Sequence, residues 1–390
     1  MTNAILVGNW SYPTTVWAGP GRIGELSQAC RRLGIERALL VTDAGLKDAP
    51  MVRAAVAANV AAGVPTEVFA DFKGNPVAAN VTAGLERYRA HRAEGVVAFG
   101  GGSALDVGKA IAFMSGQVRP LWEFEDIDDW WTRANPAGIA PVVAIPTTAG
   151  TGSEVGRAAV ILNEETHEKK IIFHPRMMPG IVISDPELTV GLPPAVTAAT
   201  GMDAFVHCFE SYCARGFHPP ADGMALEGIR LIAKYLPRAY RDGNDIEARA
   251  HMLAAASMGA AAFQKGLGAV HALAHPIGAL YDTHHGLTNA VLLPYVMVHN
   301  RAAIAEHMVV VGRVLGLVHA SFDGVLTWVL EFRRILGIPR SLQKLNVPAD
   351  RAEEIGRMAE RDPSAAGNPA PVDAVALTEI FRNAVAGHIE

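Results

Sequence analysis

The chain has 390 residues, of which 50% are hydrophobic and 19% are charged, and its formal net charge is −5. This length suits two domains better than one, and the composition is typical of a folded globular protein and excludes a disordered or fibrous one. Lys and Arg form no long runs, so nothing in the charge pattern favours nucleic acid or an anionic membrane surface as a partner.

The cysteines and the first residues bear on localisation. Cys30, Cys208 and Cys213 show no CxxC spacing and cannot all pair, which favours a reducing compartment over a secreted one. The segment MTNAILVGNWSYPTTVW lacks the basic and apolar regions of a signal peptide, and we find no apolar run of about 18 residues elsewhere. We therefore expect a soluble cytoplasmic protein.

The first half of the chain alternates short apolar runs with amphipathic stretches. Strands are predicted for ERALLVTD (36–43), EGVVAFGGG (94–102) and APVVAIPTT (140–148). Helices are predicted between them for IGELSQACRRLG and AANVTAGLERYRAHRAEG. This alternation predicts a parallel, doubly wound sheet.

The pattern changes around Pro186. Before it, the acidic and aromatic stretch WEFEDIDDWWTRANP (122–136) predicts a surface loop. After it, the chain shows helical periodicity almost to its end, as in DGMALEGIRLIAKYLPRAYRDG and EARAHMLAAASMGAAAFQ. We therefore predict an α/β domain over residues 1–186 and an all-α domain over residues 187–390.

Two glycine-rich segments are candidates for a phosphate-binding loop. GPGRIG (19–24) matches G-x-G-x-x-G, and Asp43 ends a predicted strand where a Rossmann fold has a ribose-binding acid. Glycine and proline also make ordinary turns, and TTVWA before the motif is a poor central strand, so both interpretations of these glycines stay open. Asp43 remains a ribose candidate.

GGGSALDVGK (100–109) is better placed for this role. The apolar run VVAF leads into three glycines, Ser103 is a suitable helix cap, and the segment continues with helical character. Backbone amides without neighbouring Cβ atoms approach a diphosphate closely, and the helix N-terminus adds partial positive charge. A tight strand-to-helix turn without a ligand is the alternative.

A third loop, PTTAGTGSE (146–154), also follows an apolar strand. Its small hydroxyl side chains among glycines are suited to lining the adenosine and nicotinamide halves of a dinucleotide. The alternative is a connector held by local Ser and Thr turns.

Four histidines lie within HALAHPIGALYDTHH (271–285), which suggests a metal site. Asp203 and His207 stand four residues apart on a predicted helix, and His271 and His275 repeat this spacing on another, so each pair shares one helix face. Any one of these histidines alone is better explained as a core or surface group. Together, an Asp and several His from separate helices favour a divalent metal.

Four segments in this order resemble the iron-containing (group III) alcohol dehydrogenase family over essentially the whole chain. They are GGGSALDVGK, PTTAGTGSE, ATGMDAFVHCFESY and GLGAVHALAHPIGALYDTHHGLTNAVLLPYVM. The resemblance implies an N-terminal dinucleotide-binding domain, a C-terminal helical domain and an active site between them. This agrees with the boundary predicted from the periodicity.

The resemblance also implies roles for the histidines. The family's metal ligands match Asp203, His207, His271 and His285. His275 matches a histidine near the metal that does not normally bind it, which implies substrate positioning or proton relay. His284 lies where relatives vary, and we expect no catalytic role for it.

The cofactor residues carry over in the same way. Asp43 matches the position that contacts the ribose 2′-hydroxyl, and a carboxylate there repels a 2′-phosphate, which predicts NAD rather than NADP. The remaining matches are Gly101, Gly102 and Ser103 in the diphosphate loop, Asp106 in the GGGSxxD pattern, Thr147, Thr148 and Thr151 in the next loop, and Lys169 or its neighbour Lys170 at a nucleotide-contacting lysine.

The activity implied is an NAD(H)-linked alcohol dehydrogenase or aldehyde reductase for a small primary alcohol. The metal, Fe²⁺ by the family and Zn²⁺ as the alternative, would stabilise the alkoxide while hydride moves to or from nicotinamide. His275 would move the hydroxyl proton to solvent. The family often forms dimers, so we expect a homodimer, with the apolar N-terminal segment as a candidate contact.

The substrate is less defined by the sequence. Ala158 falls at a pocket position where many relatives have a small polar residue, and Arg157 lies beside it. We hypothesise that Arg157 and Lys265 help to bind a substrate with an anionic tail. The alternative is that both cations face solvent or pair with neighbouring acids.

Two other functions are considered. A cyclising lyase resembling dehydroquinate synthase, which uses NAD transiently, would need a pocket rich in Lys, Arg and Asn, and the apolar helices around Asp203 and His271 supply little of it. A metal-storing or structural helical protein would leave the two glycine-rich loops unexplained.

Overall fold

A computed structural model describes residues 8–10, 14–72, 74–166 and 168–389 of the chain. It divides into two compact units, residues 1–148 with 152–191, and residues 149–151 with 192–390. The first unit contains the strands and four of the described helices, and the second is helical. An α/β region followed by an all-α region is the predicted fold class, which is thus confirmed.

The strands belong to the first unit. They are β1 Gly8–Trp10, β2 Thr15–Ala18, β3 Ala38–Thr42, β4 Thr66–Phe69, β5 Gly95–Gly100, β6 Val142–Pro146, β7 Ala158–Asn163, β8 Glu168–Phe173 and β9 Ile181–Ser184. The main sheet has the order β1-β2-β9-β6-β5-β3-β4, in which β1 is antiparallel to its neighbour and the others run parallel. A separate antiparallel hairpin joins β7 and β8.

The central strands are apolar because they are buried on both faces. Every residue of β3, β5 and β6 is buried, as is usual for strands in the middle of a parallel sheet. These are the three strands predicted from sequence. The segment TTVWA, expected to make a poor central strand, nevertheless forms β2, which pairs with β1 and β9.

The helices of the first unit are α1 Leu26–Arg32, α2 Pro50–Ala61, α3 Ala78–Ala90 and α4 Gly102–Met114. Helix α4 is buried over most of its length and crosses β3, β5 and β6, so it anchors the loop that precedes it. The stretch 122–136 is not a plain loop: it contains short 3-10 turns, and Phe124 is buried against Phe113 with ring centres 4.9 Å apart.

The second unit packs its helices around one apolar core. They are α5 Pro194–Cys213, α6 Pro219–Arg241, α7 Ile246–Ala262, α8 Ala269–Tyr281, α9 His285–His299, α10 Arg301–Val314, α11 Phe322–Ile335, α12 Ala352–Glu360 and α13 Ala374–Ala386. Side-chain caps fix where several of these helices begin. The side chains of Asp245, Ser321 and Asp373 accept backbone N–H groups in the first turns of α7, α11 and α13.

Helix α5 is almost wholly buried and contacts α6, α7 and α9, so its polar residues lie inside the unit. Among the described residues, we find no helix whose length and apolar character would let it cross a membrane.

Candidate metal and dinucleotide sites

Helix α5 places three polar side chains in the core of the second unit. Asp203, His207 and Glu210 are 2%, 5% and 5% exposed, and their spacing puts them on one helical face. A buried carboxylate and imidazole are costly unless they are paired or bind a metal. The face therefore points to a polar site rather than to ordinary packing.

Helices α8 and α9 bring two further imidazoles to this face. One donor atom from each of Asp203, His207 and His271 lies within 4.8 Å of the others, close enough to share a metal ion. His285, the first residue of α9, lies 3.7 Å from Asp203 between Nε2 and Oδ1. Three imidazoles and one carboxylate are a suitable donor set for Fe²⁺ or Zn²⁺. The structure thus brings together all four residues that the resemblance suggested as ligands.

Close helix packing makes this convergence possible. Gly286 follows His285, and a Cβ atom at this position would lie 2.5 Å from the Ala199 carbonyl oxygen and 2.9 Å from Asp203 Cβ. Only glycine lets the start of α9 approach α5 this closely.

His207 and His271 differ in their electrostatics. Burial lowers the pKa of His207 to about 4, because it disfavours the charged ring more than the nearby Asp203 favours it. His207 is therefore neutral, as a metal ligand must be. Its Nδ1 atom is buried and has no hydrogen-bond partner within the described part of the chain.

Glu210 contacts the His271 ring and the backbone of the preceding residue. Its Oε2 lies 2.6 Å from His271 Nδ1, and its Oε1 accepts the Val270 backbone N–H at 2.8 Å. Burial lowers the pKa of His271, but hydrogen bonding and the charge of Glu210 outweigh it and raise the pKa overall. When Nδ1–H donates to Glu210, the Nε2 lone pair is left for another partner.

His275 lies on α8 one turn after His271 and contacts a different acid. Its Nδ1 is 2.7 Å from Asp362 Oδ2, and its ring is stacked on that of His285 with an interplanar angle of 10°. Burial raises the pKa of Asp362, but the charge and hydrogen bond of His275 reverse this and lower it. An oriented imidazole beside the ligand cluster suits proton transfer.

His284 has a structural position. It is exposed and precedes α9, where its Nδ1 accepts the Leu287 backbone N–H at 3.4 Å. This is compatible with the expectation that it has no catalytic role.

Sequence reasoning missed three residues at this site. Glu210 and Asn289 had a usable signal, because they lie three residues after His207 and four residues after His285 on their helices. Asp362 had none, since it is isolated in sequence from the histidine that it contacts.

The glycine-rich loop follows β5, and Asp43 follows the neighbouring strand β3. Asp43 Oδ2 accepts the Gly101 backbone N–H at 2.8 Å, and burial raises the pKa of this carboxyl group. A Cβ atom at Gly100 would collide with the same carboxylate. Helix α4 begins at Gly102 with Gly101 as its N-cap, so Ser103 lies in the first turn rather than at the predicted cap.

Asp106 is engaged by protein groups. Its Oδ1 accepts the Ser153 hydroxyl at 2.5 Å, its Oδ2 accepts the Val160 N–H at 2.9 Å, and Lys109 Nζ lies 3.2 Å away. Lys109 is 1% exposed and also donates to the carbonyls of Ser153 and Ala158. These bonds tie α4 to the segment after the threonine loop.

The threonine loop follows β6, the other neighbour of β5. Thr147 is buried and its N–H donates to the Gly100 carbonyl at 2.9 Å, while Thr148 and Thr151 are half-buried. In the hairpin, Lys169 lies opposite Leu162, and Lys170 pairs with Glu168 at 2.8 Å.

The GPGRIG motif forms a turn after β2, and the Ile23 N–H donates to Asp185 Oδ2 at 2.9 Å. Three strands separate β2 from β3 in the sheet, so the motif and Asp43 do not form a Rossmann unit on adjacent strands.

Both cations considered for an anionic substrate lie near acidic side chains. Lys265 is 5% exposed in its side chain, donates to Asp222 Oδ1 at 2.5 Å and donates to the Tyr212 carbonyl at 3.1 Å. The alternative, pairing with a neighbouring acid, describes Lys265, because its ammonium group contacts Asp222. The Arg157 guanidinium lies over the Phe173 ring, 5.6 Å from its centre. Burial raises the pKa of Asp126, and the positive charge of Arg157 opposes this rise.

Comparison with known proteins shows the family of the chain. Residues 13–186 match the model of the iron-containing alcohol dehydrogenase family, and residues 197–385 match the family's C-terminal region. The chain belongs to the iron-containing alcohol dehydrogenase family. The predicted class, an NAD-linked alcohol dehydrogenase, is confirmed, and the lyase alternative is not favoured.

Three similar proteins illustrate the range of the family. The 4-hydroxybutyrate dehydrogenase of Cupriavidus necator is 39% identical over 88% of this chain and 91% of its own. A 1,3-propanediol oxidoreductase structure has a TM-score of 0.89 and 36% identity, covering 94% of this chain and 96% of its own. The sulfoacetaldehyde reductase of Bifidobacterium kashiwanohense, solved with NAD⁺, has a TM-score of 0.85 and 29% identity, covering 96% of this chain and 97% of its own.

Proposed function

We propose that the chain interconverts a small primary alcohol and its aldehyde with NAD(H), using a divalent metal held by Asp203, His207, His271 and His285. The convergence of these donor atoms in a buried site is the observation on which the proposal rests. When bound, the metal would polarise the substrate oxygen as a Lewis acid. Fe²⁺ is the first choice because of the family, with Zn²⁺ as the alternative.

The chain's own residues supply the rest of the chemistry. Asp362 holds His275 through Nδ1, which leaves the other ring nitrogen for the proton of the substrate hydroxyl. Gly102 and Ser103 are proposed to bind the diphosphate of NAD with the backbone N–H groups at the start of α4. Gly101, whose N–H donates to Asp43, is proposed to let the diphosphate approach the loop closely. We assign ribose binding to Asp43.

Four further residues are proposed to contact the cofactor. We assign Thr147, Thr148, Thr151 and Lys169 to the nucleotide. Asp106 is proposed to act through the loop, because both of its oxygens already accept protein donors.

The first experiment measures NADH formation by metal-stripped protein reloaded with Fe²⁺ or Zn²⁺, over a panel of short primary alcohols, diols and hydroxy acids. We expect activity to return with metal, and His271→Ala to abolish it. His284→Ala is the matched control, because His284 is a nearby exposed histidine, and it should keep most of the activity. If no alcohol is oxidised and no aldehyde reduced with either metal, the proposal is wrong.

An anionic substrate is a more specific proposal, in which we assign its anionic group to Arg157. Two relatives are named for substrates that carry a carboxylate or a sulfonate, which supports including such compounds. We expect Arg157→Ala to reduce kcat/KM for 4-oxobutanoate by about tenfold or more while sparing butanal. Lys265→Ala, whose ammonium is paired with Asp222, should affect both equally. Equal losses in Arg157→Ala would exclude the anionic contact.

We further propose a cytoplasmic homodimer. The three cysteines are buried and unbonded, which suits a reducing compartment. The N-terminal segment considered as a dimer contact lies largely outside the described residues. Light scattering during gel filtration tests the subunit number.

A further inference from the structure

Asn289 lies against three of the four proposed metal ligands. It is fully buried on α9, and its amide nitrogen is 2.7 Å from Asp203 Oδ1, 3.1 Å from His285 Nε2 and 3.2 Å from His271 Nε2. These three atoms belong to three of the four proposed metal ligands. No role for Asn289 follows from the proposed reaction.

The chemistry of the neighbours sets the direction of these contacts. An ionised Asp203 only accepts, and His271 Nε2 accepts when its Nδ1–H donates to Glu210. The donor end of the Asn289 amide therefore faces the ligands. Its Oδ1 is buried and has no hydrogen-bond partner in the described part of the chain. The opposite amide orientation would place oxygen against these acceptors.

The contacts of Asn289 coincide with those that a metal would need. An unprotonated imidazole nitrogen has one lone pair, which binds either a metal or an N–H donor. Asp203 has more acceptor sites and can keep its bond to Asn289 while it binds a metal. Asn289 and a metal thus compete for His271 and His285, but not for Asp203.

We propose that Asn289 takes the place of the cation in the metal-free protein and stabilises the buried ligand cluster until metal binds. The inference rests on the proposed metal site. It implies that the amide contributes more to the stability of the metal-free protein than to that of the metal-loaded protein. One of its two N–H groups bonds to Asp203 and is kept, while the other, shared between His271 and His285, loses its acceptor to the metal. An asparagine that only fills the core would contribute equally to both.

The test compares thermal unfolding of the full chain with and without Zn²⁺. Asn289→Leu removes the donor at similar volume and should lower the midpoint of the metal-free protein by on the order of 5 °C. With Zn²⁺ the loss should be clearly smaller, so Zn²⁺ should raise the midpoint more in the variant than in wild type.

Asn59→Leu is the matched control. Asn59 is also fully buried, its amide donates to Thr66 Oγ1 at 3.2 Å, and its Oδ1 likewise has no partner in the described residues. It lies in the other unit, so its midpoint loss should be the same with and without Zn²⁺.

Each other outcome overturns the proposal in a recognisable way. Equal losses in Asn289→Leu with and without Zn²⁺ would make Asn289 an ordinary core residue, and a larger loss with Zn²⁺ would make it part of the metal-bound site. If Zn²⁺ does not shift wild type, the metal site itself is wrong and this proposal fails with it. If Asn289→Leu does not fold, Asn289→Ser, whose shorter side chain leaves the ligands without the amide, takes its place under the same criteria.

Discussion

Glu210 connects a candidate metal ligand to the helix that carries it. Its carboxylate contacts both His271 Nδ1 and the Val270 N–H, so it sets the tautomer and the direction of the ring. Carboxylates in this position raise the basicity of a metal-binding histidine, and their loss typically costs 10–100-fold in metal affinity. Glu210 is therefore expected to be a positioning residue.

We predict that Glu210→Gln weakens Zn²⁺ binding by about 10–100-fold, because a neutral amide keeps the shape but not the charge. Competition with a chromophoric chelator measures the affinity. Glu227→Gln, an exposed pair with Arg230, should bind Zn²⁺ like wild type. Unchanged affinity in Glu210→Gln would show that the charge is not needed.

Asp43 is the residue expected to determine cofactor preference. Asp43→Ser removes the negative charge that repels a 2′-phosphate, so the ratio of kcat/KM for NADP to that for NAD should rise by about tenfold or more. Steady-state kinetics with both cofactors measure it. Asp48→Ser, at an exposed position a few residues later, should leave the ratio unchanged. The same change in both variants would contradict the assignment.

Spacing along helices predicted much of the candidate metal site. Asp203 with His207 was recognisable because both lie on one face of the same helix. His285 could be separated from His284 only by resemblance, since the two are adjacent. Asp362 was beyond prediction because its pairing with His275 depends on how distant parts of the chain pack.

At the level of elements, the start of α9 depends on Gly286. We predict that Gly286→Ala lowers the free energy of unfolding by about 1–3 kcal/mol, because its Cβ would overlap the Ala199 carbonyl and push α9 away from α5. The displacement should also weaken Zn²⁺ binding. Gly223→Ala, at an exposed position of α6 with open space around it, should be neutral or slightly stabilising. Denaturant unfolding compares the two, and equal stability would contradict the packing argument.

The strands show which elements a sequence reveals. β3, β5 and β6 were predicted because continuous apolar runs are what a buried parallel strand requires. The sequence does not predict β8, because EKKIIF begins with three charged residues and belongs to a hairpin outside the main sheet. The sequence predicts only a poor central strand for β2, because its four residues are few for a pattern and its position depends on β9, which lies far along the chain.

At the scale of the whole molecule, His207 links stability to pH. Its folded pKa, about 4, lies below the ordinary 6.5, so between these values the unfolded chain binds a proton that the folded protein does not. In metal-stripped protein, burying the neutral His207 ring thus costs no stability through its titration above pH 6.5. As the pH falls toward 4, the folded state loses stability because only the unfolded chain binds the proton. The effect is at most about 3 kcal/mol.

The raised pKa of His271 acts in the opposite sense, because its contribution to stability is lost as the pH rises. The contribution of His207 must therefore be measured by comparison with a variant that lacks this histidine. We predict that stability measured as wild type minus His207→Gln increases from pH 4 to pH 6.5. Denaturant unfolding at several pH values measures it. A difference that is flat or decreases over this range would mean that burial does not hold His207 neutral.

Glu210 also couples the motion of the α8 backbone to that of the His271 ring. One carboxylate joins the Val270 amide to the His271 ring, so the first turn of α8 and the ring must open together. An ion that holds the ring should then slow hydrogen exchange at Val270, although this amide would not touch the ion. The backbone of α8 would thus report occupancy of the site, and its local opening would set a limit on how fast the ion can leave.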